Sequence, residues 1–163
     1  MNFRNRLTSF FQKKTNEDKS VSAEDIQLFL NGLTQKIKNR VPKEIFGVVN
    51  SIKESILLTL PQIEDITSGE PHIYSIRRTA LSYLPESLDN YLNLPTSHAR
   101  FHVIRDDKTA TDILLEQLNL LDKEMKEILV DFQQNNVHNL LVHGRFLASK
   151  FKEPDILKTP DQQ

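Results

Sequence analysis

Apolar residues return every three or four positions through almost the whole chain. The α-helix, at about 3.6 residues per turn, is the regular structure that gathers such positions on one face. The spacing holds longest after Thr109-Ala110-Thr111-Asp112: Ile113, Leu114, Leu118, Leu121, Met125, Ile128, Leu129 and Phe132 recur with acids and lysines between them. This predicts a central helix over Thr109 to Gln133, with Leu114, Leu118, Leu121, Met125, Leu129 and Phe132 largely buried. Gln133-Gln134-Asn135-Asn136 is expected to stop it. A last helix carrying Val137, Leu140, Leu141, Leu147 and Phe151 is expected to pair with its predecessor through a short loop.

The rest of the chain reads the same way. Ser22-Ala23-Glu24-Asp25 resembles a capping box, followed by the stripe Ile26, Phe29, Leu30, Leu33, Ile37 and Val41. Pro42 sets a boundary, and the stripe Ile45, Val48, Val49, Ile52, Ile56 and Leu60 runs to a break at Pro61. These two stripes are expected to form an antiparallel helical pair, with Ile63 to Gly69 a turn or frayed end. Beyond Pro71, the period of Ile73, Ile76, Ala80, Leu81, Leu84, Leu88, Tyr91 and Leu92 crosses Pro85. A kink or a restart satisfies it, and a restart is expected because a residue before proline is pushed towards extended backbone. Asn93 to Lys108 reads as the longest loop, with Phe101 to Arg105 its one candidate strand. The expected fold is all-α: a bundle of five or six main helices over residues 22–151, with a disordered tail over 152–163.

Residues 1–14 stand apart. Phe3, Leu7, Phe10 and Phe11 share one side of a helix among Arg4, Arg6, Lys13 and Lys14, and no acid occurs before Glu17. This is the pattern of a detachable amphipathic helix that docks on an anionic membrane surface or in a partner groove, joined to the bundle by a polar linker over 15–21; the same pattern also fits a segment that folds back onto the bundle or stays disordered in water. Without these four basic residues the chain carries 17 basic and 22 acidic side chains, a net of −5, so nucleic acid is a poor partner. The absence of cysteine excludes disulfides and cysteine-ligated metals and fits a cytoplasmic setting. No apolar run approaches the ~20 residues of a membrane span, and no signal peptide is expected.

Tyr83-Leu84-Pro85-Glu86-Ser87-Leu88-Asp89-Asn90-Tyr91, a loop, a long acidic amphipathic helix and a shorter closing helix follow one another in this order. Over about residues 70–151 this resembles the XpaC-like bacterial helical proteins, a family named for 5-bromo-4-chloroindolyl phosphate hydrolysis and discussed with tellurite resistance. The resemblance implies a cytoplasmic helical bundle. No phosphatase motif accompanies it, so the hydrolysis does not carry over. In the tyrosine segment, Tyr83 and Tyr91 are expected to bury their rings, each hydroxyl finding a partner.

Few residues suggest chemistry. His98 and His102 have the i, i+4 spacing of two ligands on one helix face, with Asp106 and Asp107 close behind, although Pro95 and the loop composition oppose a helix there. Arg77-Arg78 is the best anion-binding candidate outside residues 1–14, since paired guanidiniums grip phosphate. Gly144, inside the last helix, suggests close helix packing. The four glycines form no phosphate loop or nucleophile elbow. The expectation is therefore a non-enzymatic interaction or adaptor protein with no cofactor, no catalytic site and no metal. Such a protein binds a protein partner and is recruited through residues 1–14 to the inner face of a membrane or to that partner. The alternative is a small phosphate-ester hydrolase or metal-dependent enzyme using Arg77, Arg78, His98 and His102. The partner's identity and the oligomeric state are not specified by these patterns.

Overall fold

The computed structural model describes residues 21–63 and 71–151. The expected docking helix (1–14), most of the linker and the expected tail (152–163) lie outside the described residues, as does most of the expected turn or frayed end over Ile63 to Gly69. The fold is all-α. In chain order the helices are α1 (Ala23–Ile37), α2 (Lys43–Ile63), α3 (Pro71–Arg78), a π-helical turn (Thr79–Tyr83), α4 (Leu84–Leu92), α5 (Thr96–Phe101) and α6 (Ala110–Lys150). A hairpin of β1 (Val103–Arg105) and β2 (Lys108–Thr109) is the one sheet among the described residues. These residues divide into two compact units that part between Leu129 and Val130.

In the first unit, local chemistry sets the helix starts. Ser22 Oγ accepts the Asp25 N–H at 3.1 Å while the Asp25 carboxylate accepts the Ser22 N–H at 3.3 Å, a reciprocal capping box. Thr109 and Asp112 repeat the device at the head of α6. α1 packs along α2, with Ile26, Leu30, Leu33 and Ile37 buried from one and Ile45, Val49, Ile52 and Ile56 from the other. Lys53 Nζ reaches across to Thr34 Oγ1 at 3.3 Å. Proline punctuates less than expected. α2 runs through Pro61, which sits in its last described turn, where the missing amide removes a single helical bond.

The restart expected at Pro85 is replaced by a π turn. Leu84 keeps helical backbone (φ −65°, ψ −51°), and its N–H donates to the Thr79 carbonyl five residues back. Widening the turn makes room for the proline ring without ending the helix. Leu84, Pro85, Leu88 and Tyr91 are buried, but Tyr83 is 45% exposed, against the expectation that both tyrosines are buried. Eight residues overshoot two helical turns by about 80°, so the face that buries Tyr91 leaves Tyr83 at its flank.

Helix α6 departs most from its sequence pattern. Gln133-Gln134-Asn135-Asn136 does not stop it; one helix continues to Lys150. Asparagine and glutamine are only mildly unfavourable in a helix and, unlike proline, keep the backbone donor. The expected stripe is buried at Leu114, Leu118, Met125 and Phe132, with Ile128 added, while Leu121 and Leu129 are half-buried. In the second unit every residue from Gln133 to Phe151 is exposed.

Candidate functional site

The His98–His102 region is built by a short helix where composition opposed one. Pro95 caps α5 with extended backbone (ψ 137°), and the chain turns extended again at His102. The i, i+4 spacing does bring the two imidazoles together, as a stacked pair with centroids 4.1 Å apart. Both are exposed. Asp106 and Asp107 occupy the hairpin turn with φ of 50° and 59°, the left-handed pair that a two-residue type I′ connection requires. Asp106 pairs with Arg105 at 3.3 Å. Among the described residues no group of three or more His, Asp or Glu is disposed to hold a metal ion.

Beside it lies a shallow, open depression of ≈ 530 Å³, where the first turns of α2 and α6 meet Arg100 of α5. Lys43 and Arg100 bring positive charge, Glu44 and Asp112 negative. Thr109, Thr111 and Asp112 are already committed within the fold. Asp112 accepts the Thr109 N–H at 2.9 Å and the Thr109 hydroxyl at 2.7 Å. Those two bonds, backbone first, hold the carboxyl below its ordinary pKa. Thr111 donates to the Ala99 carbonyl at 3.1 Å and meets the Tyr91 hydroxyl at 3.0 Å. A chain of hydroxyls thus ties α4, α5 and α6 together, which is structural work.

The arginine pair divides between two environments. Arg78 is exposed, its guanidinium 5.4 Å from the centre of the Tyr83 ring, and the hydrogen bond it donates to Tyr83 raises its pKa, helped by Tyr74. Arg77, half-buried, points about 100° away around α3. Successive helical positions do not form a fork on one anion, and these arginines lie on a different element from His98 and His102.

The feature that helical spacing alone did not single out is the surface of α6 beyond Phe132. Val137, Leu140, Leu141, Val142, Phe146 and Phe151 are 49–80% exposed, Leu147 38%. A Cβ built on Gly144 meets nothing within 4 Å, so the close packing expected there is absent among the described residues. A legible signal existed: the charges that fill the first half of the helix thin out here. No described helix is long and apolar enough to cross a membrane. No family model, curated protein or solved structure matches the chain.

Proposed function

We propose that this chain is a non-enzymatic interaction or adaptor module: a helical scaffold that presents docking segments to a protein partner at the cytoplasmic face of a membrane. The observation that carries this reading is the run of exposed apolar side chains from Val137 to Phe151. Monomeric proteins seldom leave contiguous apolar surface in water unless something binds it. The basic segment with Phe3, Arg4, Arg6, Leu7, Phe10, Phe11, Lys13 and Lys14 supplies the second docking element. Each of its cations contributes about 1 kcal/mol near an anionic surface, and its phenylalanines add apolar burial. Ordering the segment offsets part of this gain, which makes recruitment reversible and salt-sensitive. The resemblance of residues 70–151 to the XpaC-like proteins supports a helical scaffold and adds no activity.

Co-sedimentation of the full chain with anionic and neutral vesicles at low and high salt tests the membrane side, beside Phe10→Glu/Phe11→Glu. Binding confined to anionic vesicles, weakened by salt and lost in the variant, is expected. Equal sedimentation of wild type and variant removes membrane docking and leaves only the partner-groove role for residues 1–14.

A further inference from the structure

We infer that the α6 segment from Val130 to Phe151 is a pairing face for a second copy of this chain. This rests on the interaction-module reading and names the occupant of its exposed surface.

The stripe is centred on Gly144. At about 100° per residue, Val137, Leu140, Leu141, Leu147 and Phe151 all fall within about 60° of the glycine's direction, and Ala148 joins them. Small residues mid-stripe, with leucines on either side, let a second helix cross at close range, and Gly144 has open space in front of it. A helical glycine carries a propensity cost that close approach of another helix offsets.

A helix also needs a partner here on stability grounds. From Gln133 to Phe151 no residue is buried, and isolated helices of this length are marginal in water even with good helix formers. In this segment eleven of the nineteen residues are the weaker helix formers glycine, valine, asparagine, histidine, serine and phenylalanine.

The chemistry of the face selects a copy of itself. Between Val130 and Phe151 only Asp131, Arg145 and Lys150 are charged. The basic segment of residues 1–14 finds no acidic complement on this face after Asp131. An anionic membrane would meet few cations along this segment, Arg145 and Lys150 alone. A second copy meets an almost neutral surface, with Gln133 on the stripe and Asn136 at its edge, amides that both donate and accept towards their own kind. Side chains this exposed offer on the order of 100 Å² each, so the stripe presents roughly 600 Å² per copy, near the ~800 Å² per partner of an ordinary stable interface.

Sedimentation equilibrium of the full chain tests this, with Leu140→Glu/Leu147→Glu and Gly144→Leu as variants. Because these positions are exposed, the far-UV spectrum and melting of the first unit serve as the folding control. The expected result is a wild-type dimer, with a dissociation constant raised at least ~100-fold in the double glutamate variant and raised also in Gly144→Leu, while the first unit melts unchanged. A dimer equally tight in both variants overturns the inference, since another face then makes it. A wild-type monomer overturns it too. A monomer that still binds anionic vesicles leaves the interaction-module reading standing, whereas one that binds no vesicle overturns both its membrane side and the pairing.

Discussion

Residues 110–129 of α6 carry seven charged side chains in twenty positions and bury Leu114, Leu118, Met125 and Ile128. Residues 130–151 carry three in twenty-two and bury only Phe132. One continuous helix thus contains a segment whose apolar stripe is covered by its own chain and a segment whose stripe faces water. Periodicity predicts the stripe in both and says nothing about what covers it. The distinction lies in the polar positions. Where the chain supplies its own cover, the outward face is dense with charge, including the i, i+4 pairs Asp122–Lys126 at 2.6 Å and Lys123–Glu127 at 3.8 Å. Where that cover is missing, the charges fall away and asparagine, glutamine and histidine replace them.

The sharpest way to break the comparison is to remove one leucine from each half. Leu118 is fully buried, so Leu118→Ala is expected to cost about 2–5 kcal/mol in urea denaturation. Leu140 is 71% exposed, and Leu140→Ala is expected to stay within about 0.5 kcal/mol at concentrations where the chain is monomeric. Comparable losses at both sites would erase the difference between the halves.

The two tyrosines sharpen it next. Tyr91→Phe removes the hydroxyl bonded to Thr111 and is expected to cost about 1 kcal/mol. Tyr83→Phe keeps the ring beneath Arg78 and is expected to be near neutral in the same assay.

Gly144→Ala gives opposite signs in the two states. Below the pairing concentration it is expected to raise helicity and stabilise the second half by up to about 1 kcal/mol, through propensity alone. Above it, the added methyl at the crossing is expected to weaken the dimer. A gain at every concentration would leave the glycine without a packing role.

The smallest effect is at the head of α6. Thr109 holds Asp112 ionised, lowering its carboxyl pKa in the folded state. A depressed folded pKa contributes stability that is present above the unfolded carboxylate value of about 4. That contribution is lost as pH falls through this range and past the lower folded value. Titrated against wild type, Asp112→Ala is expected to remove this part of the acid dependence, and an unchanged pH profile would show that the cap contributes none of it.

Local signals were legible in the sequence because they depend on neighbouring residues only. The Ser22–Asp25 capping box, the stripes of α1 and α2, and the strand within Phe101–Arg105 follow from spacing and side-chain chemistry. What was not legible depended on slack in the backbone or on missing neighbours. The π turn at Thr79–Tyr83 lets Leu84 remain helical before a proline, which no local rule anticipates. Four amides in a row looked like a stop, although nothing in them breaks a helix. At the candidate sites, the His98–His102 spacing and the Arg77-Arg78 pair were visible, but their partners were not: the imidazoles stack on each other and Arg78 rests on Tyr83. The exposed stripe of α6 was visible as apolar residues and invisible as surface.

Amide hydrogen exchange along α6, followed from dilute to concentrated protein, tests the central contrast most directly. Residues 110–129 are expected to be protected at every concentration, and residues 133–150 to exchange rapidly when dilute and become protected as the chain pairs. Rapid exchange of 133–150 at all concentrations, or full protection when dilute, would contradict a pairing face held ready on the second half of the helix.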